Sequence, residues 1–290
     1  MRNAKFVDVK GVRTRYFEAG RGEPLLLIHG GQFGMSNSSQ DWDRNWEDFS
    51  KDFHVYAPDK IGQGHTGNPA DEKGYFLATA TQHVFDFMQA VGLQKAHFAG
   101  HSRGGYLVTR LALEHPDVVK SLTIVDSGSL MYAVPDFYVK LNKRAEAYTA
   151  PREKQRFILT ESSFAGTIVT DEWLDDVAGY VDTPKYHEAV ETMAKMSSAL
   201  DADHEKNRDE THRMIKAGGL KDMPTLVIWG YNDQGAPIVE NGIPCMHLIL
   251  PNVPNSRMHV LNQSGHYVFR EHPQEFNSIV RSFIRGIEGR

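Results

Sequence analysis

Ser102, Asp233 and His266 are three residues whose types and order along the chain permit nucleophilic catalysis. Ser102 is the central residue of Gly-His-Ser-Arg-Gly, residues 100–104, which fits the pattern Gly-x-Ser-x-Gly. A serine hydroxyl is a weak nucleophile at neutral pH, so it needs a base within hydrogen-bond reach and an acid that orients the base. We therefore predict a catalytic triad in which Ser102 attacks, His266 removes its proton and Asp233 holds the imidazole.

The segments on either side of Ser102 predict a sharp turn between a strand and a helix. Residues 95–99 are short and mostly apolar, as in a buried strand, and residues 105–113 have the apolar spacing of a helix. Glycines on both sides let the backbone turn without clashes of Cβ atoms. The amino terminus of the following helix favours negative charge beside the serine. This context predicts an exposed nucleophile at the carboxyl end of a strand.

The base and the acid are selected by their positions after predicted strands. Of the 14 histidines, His266 is preferred because it follows the last predicted strand and lies in a loop beside a glycine. Asp233 and Asp126 both follow strands and both could serve as the acid. We favour Asp233 because the Gln-Gly-Ala-Pro that follows it can form a loop around a buried carboxylate. Asp126 remains the alternative acid.

A second glycine-rich segment, His-Gly-Gly-Gln at residues 29–32, directly follows the predicted strand 24–28. A loop in this position can donate one backbone N–H to the negative oxygen that develops during acyl transfer, and the residue after the nucleophile can donate another. We predict an oxyanion hole in which Gly31 or Gln32 supplies the first donor and Arg103 supplies the second.

The strands and helices that would position these residues alternate along most of the chain. This alternation predicts the α/β class, with a mostly parallel, doubly wound sheet of about eight strands. The alternation stops in residues 131–219, which contain helix-like stretches, many charges and no convincing strand. We predict a core domain formed by residues 1–130 and 220–290, with residues 131–219 inserted as a helical lid.

The composition excludes several other classes of protein. The net charge of −5 gives no sign of binding to nucleic acid or to an anionic membrane. Cys245 is the single cysteine, so neither an internal disulfide nor a CxxC metal site can form. The first residues lack the apolar stretch of a signal peptide, and no apolar run is long enough to span a membrane. We expect a cytoplasmic enzyme with a small-molecule substrate and with no metal or organic cofactor, either monomeric or homodimeric.

Over nearly its whole length the chain resembles the α/β-hydrolase superfamily. Within it the chain is most similar to the meta-cleavage-product hydrolases, which cleave a carbon–carbon bond in 2-hydroxy-6-oxo-dienoates made by ring-cleaving dioxygenases. The resemblance rests on Arg13–Gly20, Leu26–Ile28 and the His29-Gly30-Gly31 loop. It implies a hydrolase of aromatic degradation with a helical lid. A carboxylesterase or lactonase that works through an acyl-enzyme would need the same groups and is the alternative.

The chain departs from this family at three positions near the predicted site. His101 and Arg103 stand where the family usually has Asn and Met around the nucleophile, and Tyr267 stands where a Trp commonly follows the catalytic histidine. By the resemblance, Gly30, His101, Arg103 and Tyr267 should line the substrate site. The lid arginine that usually binds the substrate carboxylate aligns with Val177 or Ala178. Arg103, Arg152 and Arg156 are candidates to replace it.

Overall fold

The computed structural model describes residues 3–288, which form eight strands and ten α-helices. The strands are β1 (Lys5–Val9), β2 (Val12–Ala19), β3 (Glu23–Ile28), β4 (Phe53–Pro58), β5 (Ala96–His101), β6 (Val119–Val125), β7 (Thr225–Gly230) and β8 (Ser256–Leu261). The α-helices are α1 (Asp43–Phe49), α2 (Leu77–Ala90), α3 (Arg103–Glu114), α4 (Phe137–Ala145), α5 (Pro151–Glu161), α6 (Asp171–Val181), α7 (Pro184–Lys216), α8 (Ile243–Ile249), α9 (Val268–Glu271) and α10 (Pro273–Glu288).

All eight strands belong to one sheet, in the order β1-β2-β4-β3-β5-β6-β7-β8. Strand β2 is antiparallel to its two neighbours, β1 and β4, whereas every other adjacent pair is parallel. The carboxyl ends of the parallel strands therefore meet at one edge of the sheet, where open α/β sheets bind ligands. The predicted α/β fold with a mostly parallel sheet is confirmed.

Two hydrophobic layers cover the two faces of the sheet. In the central strand β3, Leu26 and Ile28 belong to one layer, and Leu25 and Leu27 belong to the other. This alternation follows from the period of two in a strand, and both faces are apolar because helices cover both. Helices α2 and α3 pack on the first face, and α1 and α10 pack on the second. The buried central strands, such as β5 and β7, give the loops at the carboxyl edge a rigid base.

Between β6 and β7 the chain forms α4 to α7, and residues 131–219 contain no strand. We call residues 137–216 the helical insertion. It contacts the loops at the carboxyl edge of the sheet: the indole N–H of Trp173 donates to Asp41 at 3.0 Å, and the carbonyl of Ser162 accepts from the backbone N–H of His266 at 3.0 Å. The insertion thus lies against the predicted site, and its description as a separate lid domain stays a prediction.

Candidate active site

Ser102 occupies a strained turn between β5 and α3. Its backbone angles are φ 52° and ψ −121°, a conformation that non-glycine residues rarely adopt. The turn requires glycine nearby, since a Cβ on Gly100 would lie 2.4 Å from the carbonyl oxygen of Gly104, and one on Gly104 would lie 2.5 Å from that of Ile28. The Ser102 N–H donates to the Val125 carbonyl at 2.7 Å, which holds the turn against β6. The predicted turn therefore presents a half-buried serine at the amino terminus of a helix.

His266 and Asp233 are brought together by the loops that follow β8 and β7. Nδ1 of His266 lies 2.7 Å from Oδ2 of Asp233, and both residues are buried. The other carboxylate oxygen of Asp233 accepts the backbone N–H groups of Gly235 and Ala236, at 2.7 and 2.9 Å. Asp233 therefore accepts a hydrogen bond from the N–H at Nδ1 of His266, and Nε2 is left to act on a reacting group. In residues 3–288 the Ser102 hydroxyl forms no hydrogen bond to Nε2, and such contacts commonly tighten when substrate binds.

Asp126, the alternative acid, has a different environment. Its carboxyl oxygen Oδ1 accepts the N–H of Gly230 at 2.7 Å, and its other oxygen is buried without a hydrogen-bond partner. Burial, and after it the charge of Asp233, raise the pKa of Asp126 well above its usual range. Of the two carboxyl groups, the structure places that of Asp233 against the imidazole.

The glycine-rich loop after β3 lies directly against the nucleophile turn. A Cβ on Gly30 would lie 3.1 Å from Cβ of Ser102, so this position requires close approach of the backbone. The ring of His29 fixes the loop: Nδ1 lies 2.9 Å from the Gly30 carbonyl oxygen, and Nε2 accepts the backbone N–H of Lys60 at 3.0 Å. These contacts require the tautomer with its proton on Nδ1. In a trans peptide the next N–H, that of Gly31, points away from the Gly30 carbonyl.

The structure distinguishes between the two proposed loop donors. Gly31 has φ +71°, and its N–H donates to no acceptor within residues 3–288. The N–H of Gln32 instead points at the sulfur of Met35, 3.4 Å away. The N–H of Arg103, at the start of α3, likewise has no acceptor in the described part of the chain. Gly31 and Arg103 are therefore the two donors that an oxyanion could use.

Three of the expected substrate contacts lie elsewhere than predicted. His101 is buried behind the turn, where its Nε2 donates to the His266 carbonyl at 2.7 Å and its ring packs 4.7 Å from that of His266. Tyr267 is also buried and packs on Trp173. Gly30 supports the oxyanion loop. Because these residues are covered by others, we revise their expected role from contacting substrate to holding the site in place.

Arg103 is the cation closest in sequence to the nucleophile, and it lines a cavity of about 70 Å³. The cavity also contacts Gln32 of the oxyanion loop and Asp201, Asp203 and His204 of the insertion. Within residues 3–288 the guanidinium makes no hydrogen bond or ion pair, although the charge of Asp201 acts on it. Burial lowers the pKa of Arg103 to about 10, which still leaves it charged at neutral pH.

The other candidate cations are not placed to bind a substrate. Arg152 and Arg156 are exposed and pair with Asp171 on the surface of the insertion. Val177 is buried in the hydrophobic layer. Arg103 is therefore the remaining candidate among those the sequence offered.

Sequence reasoning missed Tyr138, which lies beside the His266 ring. The two rings meet edge to face with centroids 5.8 Å apart, and a Cβ on Gly235 would lie 2.5 Å from the Tyr138 hydroxyl. Tyr138 belongs to α4 of the insertion, and helical spacing alone does not say which helix face meets the core. Burial, and then the charge of Asp233, raise the pKa of the Tyr138 hydroxyl well above its usual range, so it remains a donor.

Comparison with known proteins identifies the family. The family model that describes the α/β-hydrolase fold matches residues 23–273. The chain belongs to the α/β-hydrolase family. Its residues Ser102, Asp233 and His266 follow β5, β7 and β8 at the carboxyl edge of the sheet, where open α/β sheets bind ligands. Its described residues contain no cluster of side chains arranged to hold a metal ion and no helix able to cross a membrane.

The hydrolase is similar to several meta-cleavage-product hydrolases. It is 28% identical to a 2-hydroxymuconate semialdehyde hydrolase of Pseudomonas putida, across 94% of this chain and 91% of the relative. It is 27% identical to a 2-hydroxy-6-oxo-6-(2'-aminophenyl)hexa-2,4-dienoic acid hydrolase of Metapseudomonas resinovorans, across 97% and 90%. The solved meta-cleavage product hydrolase of Pseudomonas fluorescens IP01 superposes with a TM-score of 0.78 at 26% identity, covering 97% of both chains.

Proposed function

We propose that this hydrolase cleaves a carbon–carbon bond in an anionic 2-hydroxy-6-oxo-dienoate, with Ser102, His266 and Asp233 as its catalytic triad. The single observation that carries the substrate class is the charged guanidinium of Arg103, the residue after Ser102, which has no ion pair within residues 3–288 and lines a cavity together with Gln32 of the oxyanion loop. A dienoate has a carboxylate that such a group can bind through two parallel hydrogen bonds. The names of the relatives, which act on dienoic acids or their semialdehydes, support the same class.

The triad would act on the 6-carbonyl after the substrate has ketonised. In ketonisation the 2-hydroxyl loses its proton and carbon 5 gains one, which makes the bond between carbons 5 and 6 breakable. His266 then takes the Ser102 proton as the serine oxygen bonds to carbon 6, while the charged Asp233 stabilises the imidazolium. The N–H groups of Gly31 and Arg103 would stabilise the negative oxygen on carbon 6.

Bond cleavage would shift the electron pair from carbon 5 through the conjugated system to the oxygen on carbon 2, and the proton held by His266 would return to that oxygen, which gives a 2-hydroxy-2,4-dienoate. The acyl group then remains on Ser102. A water molecule, deprotonated by His266, releases it as a carboxylic acid and restores the serine. The helical insertion, which lies against the site, would act as the lid that surrounds the substrate and selects its 6-substituent.

Arg103→Met tests the substrate class, because methionine removes the cation and keeps a long side chain. We expect kcat/KM for a 2-hydroxy-6-oxo-dienoate to fall about 10- to 100-fold, which corresponds to the ~1.5–3 kcal/mol of a hydrogen bond to a charged group. Hydrolysis of p-nitrophenyl acetate, which has no carboxylate, should remain within about threefold of wild type.

Arg110→Met is the matched control on the same helix. Arg110 already pairs with Glu114 and Glu210, so its removal should leave the ratio of acid to ester turnover unchanged. Equal losses on acid and ester in Arg103→Met would contradict the proposal. They would mean that Arg103 serves a structural role opposite Asp201, and the esterase alternative would then be favoured.

A further inference from the structure

Lys60 is a buried lysine beside the oxyanion loop. It follows β4 and is 2% exposed. Lysine is almost never fully buried unless a carboxylate neutralises it. Within residues 3–288 no carboxylate lies within ion-pair distance of its Nζ. The adjacent carboxylate, that of Asp59, pairs with Arg15 and accepts from the Ser39 hydroxyl and the His65 N–H. Among the described residues Lys60 is therefore a buried lysine without a carboxylate partner, an arrangement that costs stability.

The side chain and the backbone N–H of Lys60 both help to hold the backbone around Gly31. Its Nζ donates to the carbonyl oxygen of Gly31 at 2.7 Å. The preceding carbonyl, that of Gly30, is held by His29, whose ring in turn accepts the Lys60 backbone N–H. Gly31 thus lies between two anchored carbonyls. Because a glycine is free to rotate about its backbone bonds, anchoring both sides is what fixes the direction of its N–H.

Burial and two charged groups, Arg103 and Asp41, determine the direction in which the pKa of Lys60 shifts. Burial, and then the positive charge of Arg103, lower its pKa well below the usual range of lysine, whereas the charge of Asp41 raises it. Asp41 is itself buried, and this raises its pKa to about 7, so it neutralises Lys60 only in part at neutral pH. Burial and the neighbouring charge of Arg103 thus disfavour the protonated form of Lys60, and its hydrogen bond to Gly31 is what ties it to the oxyanion loop.

We propose that Lys60 is a positioning residue of the oxyanion hole, which holds the Gly31 carbonyl through its Nζ and so aims the Gly31 N–H at the developing oxyanion. The inference rests on the proposed function, in which Gly31 is an oxyanion donor. It differs from an ordinary structural role because it assigns to Lys60 an effect on the transition state that exceeds its effect on the bound substrate.

Lys60→Met removes the hydrogen bond at similar volume, and Lys60→Gln keeps a neutral donor. For p-nitrophenyl acetate we expect kcat to fall roughly 3- to 10-fold in Lys60→Met, the effect of losing one hydrogen bond, with KM within about threefold. Lys60→Gln should lose less, because its amide can still reach the Gly31 carbonyl. Inhibition by a trifluoromethyl ketone, which forms a tetrahedral oxyanion on the serine, should weaken in parallel with kcat.

Lys185→Met is the matched control. Lys185 also donates to two backbone carbonyls, those of Gly64 and Thr66, but it does not touch the oxyanion loop. Its loss should lower the melting temperature while leaving kcat for the ester unchanged.

The inference would be overturned by an unchanged kcat in both Lys60 variants, or by a loss of kcat in Lys185→Met as large as that in Lys60→Met. It would also be overturned if Lys60→Met weakened inhibition by the ketone no more than inhibition by acetate, a ligand that forms no tetrahedral oxyanion. If the wild-type protein neither hydrolyses the ester nor reacts with the ketone, the proposed function fails instead.

Discussion

Asp233 and Asp126 end neighbouring strands, yet their surroundings differ. Asp233 accepts two backbone N–H groups and lies 2.7 Å from Nδ1 of His266. Asp126 accepts the N–H of Gly230 instead, and its burial, and then the charge of Asp233, raise its pKa well above the usual range. Only a charged partner can stabilise an imidazolium, so the difference in environment determines which residue can act as the acid.

Asp233→Asn should therefore lower kcat far more than Asp126→Asn. An asparagine at position 233 favours the wrong tautomer of His266, which costs on the order of 10⁴-fold in the serine-protease template. Asp126→Asn leaves the contact between His266 and Asp233 in place and should cost less than about tenfold. Steady-state turnover of p-nitrophenyl acetate measures both, and the opposite ranking would transfer the role to Asp126.

The order Ser, Asp, His after strands predicted a triad; the structure shows the contact between His266 and Asp233, and the part of Ser102 stays a prediction. The buried roles of His101, Lys60 and Tyr267 could not be predicted in this way, because they depend on side-chain direction behind the turn. For the same reason the choice between Gly31 and Gln32 required the position of the Met35 sulfur.

Helix α6 joins the insertion to the sheet through one buried arginine. Arg15 of β2 binds Asp59 and, at 2.5 Å, Asp176 of α6, and Asp176 also accepts the hydroxyl of Ser38. The contact links a core strand to the insertion across 161 residues of chain. Charge patterns in the sequence do not reveal such a pair, since Asp175 and Asp176 are adjacent and identical in type.

Asp176→Asn should destabilise the protein by about 2 kcal/mol, because it leaves the Arg15 charge half-compensated in a buried site. Asp175→Asn is the control on the same helix. Asp175 pairs with Arg152 on the surface, where ion pairs contribute little, so no measurable change is expected. The free energy of unfolding of the wild type, Asp176→Asn and Asp175→Asn is measured by urea denaturation. A similar stability for both variants would show that the buried pair does not secure the insertion.

Across the whole chain, the βα alternation predicted the sheet correctly because buried parallel strands are continuous apolar runs. The same reasoning located the insertion by the missing strands in residues 131–219, but it could not orient α4 to α7 against the core. Their contacts, such as Trp173 with Asp41 and Tyr138 with His266, join segments far apart in sequence.

The pH dependence of stability should reveal the Arg15–Asp176 pair in the intact protein. Although burial opposes it, the partners His65 and Arg15 lower the pKa of Asp176 below its usual value. A carboxylate with a lowered pKa contributes stability above its unfolded pKa of about 3.9 and loses it as pH falls. The stability difference between wild type and Asp176→Asn should thus be constant from pH 7 to about 5 and shrink below about pH 4. A difference that does not change with pH would contradict this assignment.

The most direct test of the proposed function is the reaction of the purified protein with 2-hydroxy-6-oxo-6-phenylhexa-2,4-dienoate, followed by mass spectrometry of the products. We expect the wild-type protein to release benzoate and 2-hydroxypenta-2,4-dienoate in equal amounts. Ser102→Ala should do so at least ~10³-fold more slowly, because triad members act as a unit. An intact dienoate after incubation with a wild-type protein that hydrolyses p-nitrophenyl acetate would contradict the account.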